Sequence, residues 1–119
     1  MADEISLSSR LRVSNGNSLF ERSLSKTFDQ ASVGGPTPGY VTIGTSEESI
    51  AFGELGTVGW LLMENLDDTN FVEWGFATGV YGGRLEAGEP AVFRLNPSTT
   101  LYLKADTAAC KCNVYAFED

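Results

Sequence analysis

Histidine is absent from all 119 residues. That single absence removes Ser–His–Asp and Cys–His nucleophilic catalysis, imidazole general-base chemistry and the common zinc ligand sets. No apolar run approaches the about 20 residues a membrane-crossing helix needs. The start, Met1-Ala2-Asp3-Glu4-Ile5-Ser6-Leu7, is acidic and lacks the basic-then-apolar order of a secretory signal, so cytoplasmic residence is expected. No glycine-rich loop leads from a strand into a helix, which excludes a phosphate cradle of P-loop or dinucleotide type. Cysteine is confined to Cys110 and Cys112. Two apart on a strand, they point the same way and are poorly placed to bridge each other. Two further soft ligands for a metal are missing. Both are expected as small reduced core residues beside Val114 and Ala116, and no cofactor is expected.

Positive charge is scarce as well. The net charge is −8, and no Lys or Arg occurs between Lys26 and Arg84, an interval holding Asp29, Glu47, Glu48, Glu54, Glu64, Asp67, Asp68 and Glu73. Phosphate binding needs clustered positive charge, so nucleic acid is not an expected partner. An acidic surface of this kind either keeps the protein dispersed or matches a basic partner.

What is present is strand after strand. A chain of this length makes one domain that buries about two-thirds of its unfolded surface. Ile5, Leu7, Leu11 and Val13 alternate with Ser6, Ser8, Arg10 and Arg12, the period of a strand with one buried face, broken once at Ser9. Asn15-Gly16 signals a tight hairpin, returning through residues 19–28 with Phe20, Leu24 and Phe28 interrupted by Arg22 and Lys26. The interruptions mark an edge strand or one covered by another chain. Residues 30–39, with two prolines and three glycines, should hold no regular structure. They either separate an arm, residues 1–39, from a body, residues 40–119, or form one long surface loop. Short strands then follow at Tyr40–Thr45, Ser49–Phe52, Val58–Glu64, Phe71–Ala77, Val80–Leu85, Ala91–Leu95, Thr100–Ala105 and Cys110–Phe117. Glycine, proline and asparagine turns separate them. The fold class is therefore all-β: an antiparallel, jelly-roll-like sandwich of about 8–10 short strands. At its centre the pattern predicts a hairpin, Thr57–Glu64 returning as Phe71–Ala77 through the polar turn Asn65–Asn70.

Three groupings invite chemistry. Asp67 and Asp68, with Asn65 and Asn70, offer oxygen ligands for calcium, but at no EF-hand spacing; capping of their own backbone is the favoured expectation. Glu64 and Glu73 flank the same turn and, on facing strands, would resemble a glycosidase carboxylate pair. Trp60, Trp74, Tyr81, Tyr102 and Tyr115 would serve as a sugar platform if they gathered on one side, although aromatics in small β domains more often fill the core.

Four segments resemble small structural proteins encoded in the virion gene clusters of tailed bacteriophages. They are Gly59-Trp60; Asn65-Leu66-Asp67-Asp68-Thr69-Asn70-Phe71-Val72-Glu73-Trp74-Gly75; Leu85 to Leu95 with its Ala87-Gly88-Glu89-Pro90 turn; and Leu103-Lys104-Ala105-Asp106-Thr107-Ala108. The resemblance runs from Gly59 onward and is loose over the first forty residues. It implies a non-enzymatic virion component: a head decoration (cement) protein, a tail-tube accessory or a fibre attachment. For the decoration role it implies the major capsid protein as partner, a homotrimer on the shell, and synthesis in the host cytoplasm. The residues expected to meet a partner are Ile5, Leu7, Arg10, Arg12, Arg22 and Lys26 on the first hairpin, and Asp67, Asp68 and Asn70 in the central turn. On the hairpin the first strand would either add to a neighbour's sheet edge or close its own sheet. The alternative is a tail or fibre module that binds host glycan or another tail protein.

Overall fold

The computed structural model describes residues 3–53 and 55–119; Met1, Ala2 and Glu54, which belong to the acidic stretches above, lie outside them. Among the described residues there are ten strands and no helix. They are β1 (Ile5–Asn15), β2 (Ser18–Phe28), β3 (Thr37–Ile43), β4 (Glu48–Ser49), β5 (Val58–Asn65), β6 (Val72–Gly75), β7 (Gly83–Leu85), β8 (Pro90–Arg94), β9 (Tyr102–Ala105) and β10 (Cys110–Glu118). Two compact units result, Met1–Ser32 and Val33–Asp119.

The first unit is the β1–β2 hairpin, a two-stranded antiparallel sheet of its own. Its innermost pair is Asn15↔Ser18, so the loop is Gly16-Asn17, one residue later than an Asn15-Gly16 loop would place it. Gly16 alone takes a positive φ there (+58°), the pattern of a type II′ turn, which needs glycine at its first position. β1 pairs with β2 along its whole length, from Ile5↔Phe28 to Asn15↔Ser18, so within this unit the strand closes a sheet of its own.

The second unit is a sandwich of two antiparallel sheets, ordered β3-β10-β5-β8 and β4-β9-β6-β7. Four of its pairings, β3 with β10, β4 with β9, β5 with β8 and β6 with β7, fall in nested order. The chain is thus a long double-stranded ribbon, bent at β6–β7 and rolled so that β10 also meets β5 and β9 also meets β6. Alternation then decides what faces inward. Leu61 and Met63 of β5 and Cys110, Cys112, Val114 and Ala116 of β10 meet Val72, Leu85, Leu103 and Ala105 of the opposite sheet in one buried cluster. The two cysteines are core residues, as their spacing indicates, and both are free thiols.

Two expectations need correction. Residues 37–39 are not irregular: they open β3, where Pro38 stands opposite Tyr115 on an edge strand, a position that needs no further N–H. The central strands, moreover, do not form a hairpin. β5 and β6 belong to different sheets, and Asn65–Phe71 is an arch between them. A hairpin would set the inward residues of both strands side by side on one sheet. The arch sets Leu61 and Met63 across the core from Val72.

Candidate functional site

The hairpin carries most of the residues expected to meet a partner, and its register sorts them onto two faces. Pairs Ile5↔Phe28, Leu7↔Lys26, Ser9↔Leu24, Leu11↔Arg22 and Val13↔Phe20 share one face. Leu11, Val13, Phe20 and Leu24 are all exposed there, with Leu11 at 62%. Ile5, Leu7 and Phe28, at the base, are half-buried. Arg22 and Lys26 rise from this apolar face and make no ion pair among the described residues. Arg10 and Arg12 lie on the reverse face, where both reach the Glu21 carboxylate at 3.0 and 3.4 Å. The four cations expected to act together are therefore divided. Two are partly neutralised; two stand beside open hydrophobic surface. Exposed ion pairs of this kind contribute little to stability, so Glu21 acts chiefly on the local charge.

The residues Asp67, Asp68 and Asn70 fall in the other compact unit and form a self-contained arch. Asn65, only 1% exposed, is its hub. Its amide nitrogen donates to the carbonyls of Asn70 (2.9 Å), Leu85 (3.1 Å) and Glu86 (3.3 Å), while its Oδ1 accepts from the Asp67 N–H at 3.0 Å. Asp67 Oδ2 accepts from the N–H groups of Thr69 (3.0 Å) and Asn70 (2.6 Å), and these bonds hold its carboxyl below the usual aspartate range. The Thr69 hydroxyl donates to Asp68 Oδ1 (3.2 Å), and that of Thr107 to Asn70 Oδ1 (2.9 Å). The oxygens that would ligate calcium are largely engaged with the loop itself. No group of three or more metal-ligating side chains occurs among the described residues. This is the backbone-capping role favoured from the sequence.

The other groupings come apart. Glu64 points out from one sheet and Glu73 from the other, so no facing carboxylate pair exists. The aromatics also scatter. Trp60 and Tyr115 lie on the outer side of the β3-β10-β5-β8 sheet, while Trp74 points inward and stacks on Phe93 with ring centroids 5.1 Å apart. Tyr81 donates its hydroxyl to Glu47, which also accepts from the Gly79 N–H. That bond raises Tyr81 to about 12 and lowers Glu47, fixing the turn after β6. An apolar hollow of about 430 Å³ lies between Trp74, Phe76, Ala77, Val80 and Gly82, too poor in polar groups to read sugar hydroxyls.

Leu11, Val13, Phe20, Glu21 and Leu24 complete the hairpin surface, yet sequence analysis did not select them as partner residues. The cross-strand register would have found them, because Leu11 and Val13 must share a face with whatever stands opposite. Compared with protein-family models, curated proteins and solved structures, the chain matches none.

Proposed function

We propose that this protein is a non-enzymatic virion component that decorates the capsid of a tailed phage, gripping the major capsid protein with its β1–β2 hairpin. The observation that carries this reading is the hairpin's open face, four large apolar side chains with Arg22 and Lys26 beside them. A two-stranded hairpin is marginal in water by itself and gains stability when its apolar face is covered. The cations favour an acidic surface around the covering contact and speed its docking. The likeness of Asn65–Gly75 and the later segments to small phage structural proteins supplies the kind of partner. Nothing in the proposed task calls for a catalytic group.

The test is co-sedimentation with purified empty shells, wild type against a Phe20→Ser, Leu24→Ser double variant. Burying either side chain is worth about 2 kcal/mol, so the variant should bind about a hundredfold or more weakly. Wild-type protein should also raise the temperature at which the shells come apart. Failure of the wild type to bind shells, together with binding to host-surface polysaccharide, would replace this reading with the glycan-binding one.

A further inference from the structure

The two outer faces of the sandwich are unlike. On the β4-β9-β6-β7 sheet the outward row is Lys104↔Glu73↔Arg84, alternating in charge and suited to water. On the β3-β10-β5-β8 sheet the corresponding outward row is Pro38↔Tyr115↔Leu62↔Val92, apolar across all four strands. The next row begins with Tyr40 and continues through Asn113 and Glu64 to Pro90. Val92 is 43% exposed and Tyr40 60%. An antiparallel sheet that packs a core on one side normally presents polar residues on the other. A row of this composition is the pattern of a second packed face.

We infer that this outer face is covered by the same face of a second copy of the chain, in a two-fold, sheet-on-sheet contact. The apolar row is close to its own complement. With the two-fold axis along the strands, β10 of one copy lies over β5 of the other and β3 over β8. Tyr115 then meets the second copy's Leu62, and Pro38 meets its Val92. Each contact occurs twice, as an isologous interface requires, at the about 10 Å spacing of packed sheets.

Charge selects the occupant. The body, residues 33–119, holds twelve of the sixteen acids and four of the eight cations, and so the whole net charge of −8. Most of its surface therefore repels a second copy. The outward positions of these four strands differ, setting Glu64 against Lys111, while Arg94 is held by Asp119 at 3.1 Å. In the two-fold arrangement Lys111, near the start of β10, lies one register step from the second copy's Glu64.

The inference does not rest on the capsid reading. Sedimentation velocity over a concentration series is expected to show an even-numbered species, a dimer in the simplest case, that dissociates on dilution. Leu62→Lys should abolish it while leaving a cooperative melt. Glu64→Lys should weaken it about tenfold, and adding Lys111→Glu should restore it. Hydroxyl-radical labelling of Tyr40 and Tyr115 in the wild type tests the same contact without a variant, labelling falling as the dimer forms. A wild type that stays monomeric at all concentrations, with both tyrosines fully labelled, would overturn the inference. So would a trimer, the assembly implied by the phage resemblance, or any oligomer indifferent to Leu62→Lys. Shell binding by a monomer would sink this contact and leave the proposed function standing; a dimer that ignores shells would do the reverse.

Discussion

Asn65 concentrates more of the body's order than any neighbouring residue, because one buried amide holds three carbonyls from two separate loops. The peptide groups beside it extend the same link, with the Asn65 N–H on the Glu89 carbonyl and the Gly88 N–H on that of Asn65. Asn65→Ala would leave the Asn70, Leu85 and Glu86 carbonyls without their side-chain donor and should cost about 3 kcal/mol, read as a lower urea midpoint with an unchanged slope. Asp67 adds a pH dependence of predictable sign. Its folded-state carboxyl lies below the ordinary value of 3.8, so its contribution is fully present above that value. It is lost as pH falls through the lower folded value. Wild type should therefore lose its stability advantage over Asp67→Ala on acidification, and a difference between the two that stays flat down to about pH 2 would contradict the capping role.

At the scale of elements, period-two alternation set which side chains face the core in Cys110 to Ala116 and along β5. It did not do so in Ile5 to Val13, where the face expected to be buried is open at Leu11 and Val13, because no core lies against it among the described residues. Alternation is silent, however, about which sheet a strand joins. Val58–Asn65 and Val72–Gly75 look the same whether the polar turn between them closes a hairpin or bridges two sheets. What decides is β10, which seats itself between β3 and β5 from far along the chain. A contact that distant leaves no mark in a local window. The Glu64–Glu73 and aromatic groupings failed for the same reason, since both assumed neighbouring strands. On the hairpin the Asn15-Gly16 signal was right in kind and one residue early. A one-residue shift of register changes which side chains share a face. It is the observed register that places Arg22 and Lys26 among the hydrophobic residues and leaves Arg10 and Arg12 with Glu21.

Across the whole molecule, charge and apolar surface are unevenly shared. The strands of the hairpin carry four cations against Glu21, while the body carries the full acidic excess. Two copies joined through the outer sheet face would bring together two strongly negative bodies, a repulsion that dissolved salt screens over about 10 Å at 0.1 M. Self-association should accordingly strengthen as ionic strength rises from about 0.01 M to 0.15 M. An equilibrium constant that falls over this range would mean that cross-copy ion pairs, rather than the apolar row, hold the contact.

The nested ribbon also fixes when this protein can take shape during its synthesis. β3, the first strand of the body, is an edge strand bonded only to β10, the last of the ten strands in chain order, and β4 likewise waits for β9. Until Cys110–Glu118 emerges, one sheet lacks the strand that joins β3 to β5, and the core lacks four of its buried side chains. The β1–β2 hairpin, by contrast, is complete as soon as Phe28 is made, because its strands pair with each other. The growing chain therefore exposes a finished, sticky hairpin ahead of a body that can close only once β10 has emerged.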